Sequence, residues 1–377
     1  MAIRRLLEVF QNNLILILLS FFYLSEAISK YFIYFSGEKS MLPRTIKFLA
    51  MTYLFYVCLK KSKALVQLFL LLVFFLVGQF FLTDGFEKEI TVSFFKFIFP
   101  LVLFTAFNNQ VFGEDTRKRL FVVFEAIFVV NSILIIVGGF FKFYLFETYK
   151  DPRFGFNGLF ITSATGSYAY LIALYYFLLK YKQDFLRNWK VILVLIASIF
   201  MGTKVLYISL IVTTLLYLGF YANFTRAQKK TIAGGILICT LIAVFLLFFK
   251  LGNFNDIRQK SGLISSLLSF RDELFLEDTL PYIMKNWSAM NYLFGGISDL
   301  TLRSQLGFID VFFFWGIIGG SLYLFSFYKS YMTFQLKEST IYFLLMLSVL
   351  VFLAGNFFEN ASIAIYLLVL REKLIQA

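Results

Sequence analysis

Two arginines carry the strongest chemical signal in this 377-residue chain. Arg271 stands in Ser269-Phe270-Arg271-Asp272, inside a stretch more polar than the apolar runs around it. Arg153 follows Asp151-Pro152 and precedes Gly155 and Gly158, in a turn leading into another apolar run. A guanidinium stays charged at any working pH and presents a planar fork that matches phosphate bidentately. Ser269 and Asp272, three apart, fit a capping box that would start a helix. Arg271 would then sit in a first helical turn. The helix dipole disfavours a cation there by roughly a few tenths of a kcal/mol, and a bound anion reverses that penalty.

Other charges sit where they are costly. A charge inside a membrane span costs about 2.5–3.5 kcal/mol on insertion scales. Glu26, Lys30, Lys47, Lys96, Glu125 and Asp310 all fall inside apolar runs, and Lys204 ends the turn Met201-Gly202-Thr203-Lys204. Plainer readings exist for most of them. Glu26 and Lys30 are four apart, in the favourable order for a helix ion pair. Lys47 and Lys96 are long enough to snorkel to headgroups. Glu125 can cap hydrogen bonds between helices. Asp310 is followed by a wholly apolar stretch and reaches water only if it lines a cavity. Tyr282, Trp287 and Tyr292 offer ring faces for sugars or for an interface.

Much chemistry is excluded. With no His in the chain, Ser–His–Asp catalysis, His-ligated metals and His proton relays are ruled out. Cys58 and Cys239 lie inside apolar runs and read as small buried hydrophobes rather than a disulfide framework. The sequence shows no Gly-rich phosphate loop and no aspartate–metal motif, so no cofactor or metal is expected.

The elements that must position these groups are apolar. The chain is 60% hydrophobic and 15% charged, against roughly 45–50% and 25% for soluble domains. Its mean hydropathy is +0.80. One soluble core cannot hide that excess, so a soluble enzyme, a disordered chain and a stapled secreted domain are excluded. A span needs about 20 apolar residues. About twelve candidates follow: 14–35, 42–59, 64–83, 90–107, 120–141, 156–179, 191–201, 205–221, 231–251, 306–328, 339–355 and 360–370. The runs 191–201 and 360–370 are short, to be extended by neighbours or half-embedded.

The net charge of +13 would suggest nucleic acid in a soluble protein. Here its distribution argues otherwise. With a cytoplasmic N-terminus, suggested by Arg4 and Arg5, 19 of the 35 basic residues fall in short inner loops. They include Lys60, Lys61, Lys180, Lys190 and Arg371. That is the positive-inside pattern. It predicts an all-α polytopic membrane protein with both termini cytoplasmic, a single transmembrane domain, and no cleavable signal peptide. Two outer segments stand apart, 142–155 and the 54-residue stretch 252–305. The second is too long for a structureless loop. Thr279-Leu280-Pro281 opens a helix in it that runs through Trp287 and stops at Gly295-Gly296. The intramembrane charges, Glu125 apart, concentrate toward the outer side, as do the two arginines. A lipid-linked anionic substrate presented at the outer leaflet would use them.

At these residues the chain resembles the O-antigen and capsule repeat-unit polymerases of the Wzy type, within a broader group that includes O-antigen ligases. The resemblance rests on Arg153-Phe154-Gly155 with Gly158, Met201-Gly202-Thr203-Lys204 and Ser269-Phe270-Arg271. Tyr292-Leu293-Phe294-Gly295-Gly296 and Gln305-Leu306-Gly307-Phe308-Ile309-Asp310, running into Trp315-Gly316-Ile317-Ile318-Gly319, complete it. It covers about residues 150–320. There are departures: Lys204 stands where the family often has Arg, and Gln305 where it often has Glu. The resemblance implies that two undecaprenyl-pyrophosphate-linked oligosaccharides meet at the periplasmic face of the bacterial inner membrane. Arg271, Arg153 and Lys204 would stabilise the leaving diphosphate. Asp310 would orient or deprotonate the acceptor hydroxyl, with Asp272 and Asp151 behind it. Trp287, Tyr282 and Tyr292 would contact sugar, and a chain-length regulator is an expected partner. The ligase branch carries an essential outer-face His, so a chain without His fits the polymerase branch better. A lipid-linked oligosaccharide flippase is the rival, but its charges should be spread across the bilayer and across two related halves.

Overall fold

The computed structural model describes residues 2–59, 62–83, 88–108, 112–149, 153–250 and 252–376. Lys60, Lys61 and Asp151 lie outside them. The described residues form an all-α structure with no β-sheet. In chain order its long helices are α1 (Ala2–Ser36), α2 (Leu42–Cys58), α3 (Ser62–Phe80), α4 (Lys88–Phe107) and α5 (Glu114–Phe141). Next come α6 (Ser163–Tyr181), α7 (Trp189–Phe200), α8 (Lys204–Leu216) and α9 (Arg226–Phe249). Next come α10 (Gly252–Leu268), which kinks at Gly262, and three short helices, α11 (Arg271–Glu273), α12 (Leu280–Asn286) and α13 (Ala289–Phe294). Then come α14 (Gly307–Tyr331), α15 (Glu338–Ala354) and α16 (Ala361–Gln376).

Among the described residues, six stretches are long and apolar enough to cross a membrane: Asn13–Ser36, Glu89–Phe107, Glu114–Phe141, Lys204–Tyr221, Arg226–Leu246 and Gly307–Tyr331. α8 reaches that length through a π-turn over Tyr217–Tyr221. The most buried helices are not among them. Every residue of α6 from Thr165 to Leu179 is buried, as is every residue of α16 from Ala361 to Glu372. The two pack on each other. A helix that is apolar around its circumference belongs inside, and a buried Tyr needs a partner for its hydroxyl. The α6 tyrosines find theirs on three neighbours. Tyr170 lies 2.9 Å from Ser132, Tyr175 donates to Thr340 at 3.1 Å, and Tyr168 donates to the Gly355 carbonyl at 3.1 Å. The short run 360–370 is therefore extended at its C-terminal end, into a core helix of 16 residues. The run 156–179 starts late, at Ser163, because Asn157 and Gly158 are held in a turn by Lys30.

Contacts between helix ends sort the bundle into two ends. At one, Glu125 of α5 accepts from Lys180, from Lys190 at 2.9 Å and from Tyr176 at 2.8 Å, so it ties α5, α6 and α7 together. Arg117 pairs with Glu372 at 3.3 Å. Arg371 is 1% exposed. It donates to Asn108 Oδ1 at 2.9 Å and to the carbonyls of Phe104, Phe107 and Ser330. Loop cations were expected at Lys180, Lys190 and Arg371; Lys180 and Lys190 turn onto Glu125, and Arg371 is drawn into the interior. A cation beside the last carbonyls of a helix is favoured by the dipole, and Arg371 serves α4 and α14 at once. Breaking a buried charged network of this kind costs about 3–5 kcal/mol. Arg371→Ala is therefore expected to lower the unfolding midpoint of the detergent-solubilised protein sharply, measured by loss of the monodisperse peak on heating. An unchanged midpoint would refute that role.

At the other end, Lys30 of α1 donates to Asn157, to the Gly158 carbonyl at 2.6 Å and to the Glu147 carbonyl at 3.2 Å. The expected Glu26–Lys30 pair is not made. Glu26 instead meets Lys47 of α2 at 3.2 Å and Ser362 of α16. Burial between helices offers both residues partners closer than each other, and the same contact takes Lys47 away from a headgroup role.

Candidate functional site

The site is built where three loops meet at the Lys30 end of the bundle. Arg153 belongs to a hairpin-like turn closed by the Glu147–Phe156 bridge, in which Thr148 N donates to the Gly155 carbonyl at 2.9 Å. The turn lies directly on the α7–α8 connection. A Cβ at Gly202 would stand 2.3 Å from the Phe154 carbonyl oxygen, so this approach requires glycine. Phe156 N donates to the Phe200 carbonyl at 3.0 Å. Two backbone segments are locked together, and Arg153 is thereby brought toward Lys204. The Arg153 side chain is exposed, and its guanidinium lies 5.7 Å from the Tyr149 ring centroid. It has no carboxylate partner among the described residues.

Lys204 opens α8 and reaches across to α10. Its ammonium donates to the Ser266 carbonyl, to the Leu267 carbonyl at 3.0 Å and to Ser269 Oγ at 3.0 Å. It also lies 4.1 Å from the Phe254 ring centroid. An ammonium has three donors, and all three are used on the protein. Lys204 therefore closes the C-terminal end of α10, where the dipole favours a cation. Its charge still lies within electrostatic range of both Arg271 and Arg153.

The Lys204 clamp holds a strained turn. Ser269 and Phe270 have φ of 55° and 65°, two consecutive left-handed residues that are not glycine. Each costs of order 1–2 kcal/mol. The expected capping box is absent: the N-cap of α11 is Phe270, and Ser269 accepts from Lys204 instead. Asp272 Oδ2 accepts from Ser265 at 2.5 Å, while its Oδ1 is buried with no partner. The turn aims Arg271 inward, where it is half-buried. One Nη donates to the Leu268 carbonyl at 3.0 Å, and Nε is buried with no partner. Burial pushes the guanidinium pKa below its ordinary value, opposed by Tyr168, Tyr149 and Asp310, which lie within electrostatic range. The helix after Arg271 runs unbroken through a π-turn at Leu274–Thr279 into α12. Thr279 does not open a new helix; its hydroxyl donates to the Leu302 carbonyl at 2.6 Å.

Asp310 sits at the start of α14. Its Oδ1 accepts from Ser304 at 2.9 Å, and its Oδ2 is buried with no partner. It lines a small cavity with Phe97, Asn356 and Glu359, as its sequence setting suggests. Beside it, Arg303 pairs with Glu359 and donates to Asn356 Oδ1 at 2.7 Å. Arg303 was not a candidate from sequence. Its one signal was a place two residues before Gln305, in the polar stretch that leads into α14.

The three aromatic candidates form a different cluster, around Phe313. Trp287 stacks on Phe313 at 5.8 Å and donates to the Gly296 carbonyl at 2.9 Å. Tyr282 meets Phe313 edge-on at 5.8 Å and donates to Ser298 at 3.1 Å. Tyr292 packs edge-on against Trp287 and keeps an exposed ring. The helix expected to run from Thr279 to Gly295 breaks at Trp287. A capping box at Ser288 and Asn291 restarts it as α13, which lies against α3 and α14.

Of the sequence candidates, Arg153, Lys204, Arg271, Asp272 and Asp310 thus gather at one end of the bundle, and Tyr282, Trp287 and Tyr292 cluster beside α14. Unpartnered guanidinium donors next to an unpartnered carboxylate oxygen can bind an anion and hold a hydroxyl near it. The fold and the site define an all-α protein with, among the described residues, six helices long and apolar enough to cross a membrane, and a cluster of cations at one end. No family model, no curated protein and no solved structure matches the chain.

Proposed function

We propose that the chain polymerises undecaprenyl-pyrophosphate-linked oligosaccharide repeat units at the periplasmic face of a bacterial cytoplasmic membrane. In this reading α1–α9 and α14–α16 make twelve passes with both termini cytoplasmic, and residues 142–155 and 252–305 lie outside. The observation that carries the reading is the meeting of Arg153, Lys204 and Arg271, which come from three separate segments. Two guanidinium groups with free donors, beside a third cation, suit a diphosphate at the lipid boundary.

The chemistry is glycosyl transfer. The acceptor hydroxyl oxygen bonds to the anomeric carbon of the growing chain, whose bond to the diphosphate oxygen breaks. Undecaprenyl pyrophosphate leaves with the bonding pair, and the acceptor proton passes to Asp310. Arg271 and Arg153 meet the charge that develops on the leaving oxygens, which is where preorganised donors act most strongly. Lys204 acts one step back, by holding the turn that carries Arg271. Use of nucleotide sugars, metal ions or nucleic acid forms no part of the reading, and a chain-length regulator is the expected protein partner.

Deleting the gene is the direct test. Cells should then carry single repeat units on their surface glycolipid in place of long chains. Loss of all surface repeats, with lipid-linked units trapped inside, would identify a flippase. Loss of surface glycan while free polymer accumulates on its lipid carrier would identify a ligase.

A further inference from the structure

Asp310 keeps one oxygen free beside a guanidinium that is spent elsewhere. The residue is 6% exposed, its Oδ1 accepts from Ser304 at 2.9 Å, and its Oδ2 is buried with no partner among the described residues. A buried carboxylate is costly unless it is paired and hydrogen-bonded. The residue before Ser304 is Arg303, whose charge lies within electrostatic range of Asp310. Both of its Nη groups point to other acceptors. Nη1 pairs with Glu359, and Nη2 donates to Asn356 Oδ1 at 2.7 Å. Asn356 and Glu359 line the same cavity as Asp310, so the three competing acceptors surround one space. The backbone sets the outcome of that competition. A Cβ at Gly355, whose φ is 59°, would lie 2.1 Å from the Gln305 carbonyl oxygen. The approach to α14 therefore lies directly on the turn between α15 and α16, and Arg303 is carried onto Asn356 and Glu359.

We infer that Asn356 and Glu359 are positioning residues for Asp310: they hold the Arg303 fork off its Oδ2 and keep that oxygen free to take a proton. This deepens the polymerase reading, and only its consequence for glycan rests on that reading. An ion pair favours the charged form of a carboxyl, so an Asp310 captured by Arg303 would be a weaker base. Glu359 is the stronger of the two restraints, because a hydrogen bond between two ionised groups outweighs one to an amide. Arg271, another guanidinium within range of Asp310, is held to the Leu268 carbonyl.

The test is labelling of the full chain in phosphatidylcholine nanodiscs with dicyclohexylcarbodiimide, which reacts with the protonated form of a carboxyl in an apolar setting. The mass of the peptide carrying Asp310 reads the rate. Wild-type Asp310 should be labelled. Glu359→Ala frees Arg303 to pair with Asp310, and labelling should slow about tenfold or more, the factor that a hydrogen bond to a charged group is worth. Arg303→Ala/Glu359→Ala should regain the wild-type rate. Asn356→Gly suits the left-handed φ of 54° at that position and removes no charge. Its labelling should slow by a smaller factor, which isolates the release of Arg303 from the loss of an acid and decides the matter if Glu359→Ala fails to fold. An unlabelled wild-type Asp310 overturns the inference. So does an Asn356→Gly protein labelled at the wild-type rate, or a double variant as slow as Glu359→Ala. In cells, long chains should be lost in Glu359→Ala and restored in the double variant. Labelling that follows the expected pattern while chain length does not would leave Arg303 restrained as inferred and remove Asp310 from the proposed reaction.

Discussion

Arg271→Ala should abolish long glycan chains while protein level and bundle stability stay near wild type. The expected loss is at least about a hundredfold in turnover, the scale seen when one preorganised donor to a developing oxyanion is removed. The effect should be this large because Arg271 is committed so little elsewhere. Among the described residues one Nη meets the Leu268 carbonyl, and Nε is buried with no partner. A buried donor without a partner costs about 1–3 kcal/mol, and a phosphate oxygen in the site recovers it. Arg271→Lys should rescue poorly, since an ammonium cannot reproduce the planar fork. The measurement is the chain-length distribution of surface glycan from complemented cells, with immunoblots for protein level. Wild-type chains from Arg271→Ala would remove the residue from the mechanism. Chains shortened but still made by Arg271→Lys would mean that charge alone suffices.

The second large effect is expected at Gly316→Ala, where only backbone meets backbone. Gly316 breaks α14 with φ of 68°, and the break receives the end of α13. A Cβ at Gly316 would lie 2.3 Å from Gly295 N, and one at Gly295 would lie 2.4 Å from the Phe314 carbonyl oxygen. Those are backbone atoms that no side-chain rotation can clear. Asn291 seals the junction by donating to the Gly78 carbonyl at 2.7 Å and the Gly295 carbonyl at 2.8 Å. Left-handed strain and overpacking each cost about 1–3 kcal/mol. The variant should unfold at a markedly lower temperature and release α13 to proteolysis. Gly235→Ala is the matched control, because nothing lies within 4 Å of its Cβ position in α9. There the better helix propensity of alanine should leave stability unchanged or slightly raised. Equal melting of both variants would mean that the α13–α14 junction carries no stability.

The two sites differ in how legible they were. Arg153 and Arg271 stood out because a charge in an apolar chain is conspicuous and phosphate chemistry prefers a guanidinium. The glycines at 295 and 316 were visible only as a helix stop and a motif. Their reason is a backbone contact between segments 21 residues apart, which no local pattern encodes. Lys204 was legible as a cation, but its hold on the α10 end was not, because its three acceptors lie 62 to 65 residues away. Arg303 was missed for a similar reason. Its importance comes from Glu359 and Asn356, 56 and 53 residues later. The Ser269 capping box failed because a hydroxyl with a lysine at 3.0 Å is no longer bound to cap a helix.

By itself the sequence determined the class: helices throughout, an apolar excess beyond what one soluble core can bury, and chemistry without histidine. These follow from composition and from periodicity over short windows, where the physics is local. It also located most helices to within a few residues. Only the tertiary structure decided which charges face each other. Glu26 left its helix neighbour Lys30 for Lys47, and Arg371 left the loop cations for the carbonyl ends of α4 and α14. A buried charge takes the nearest group that restores its lost hydration, and in a bundle of this size that group is usually on another helix.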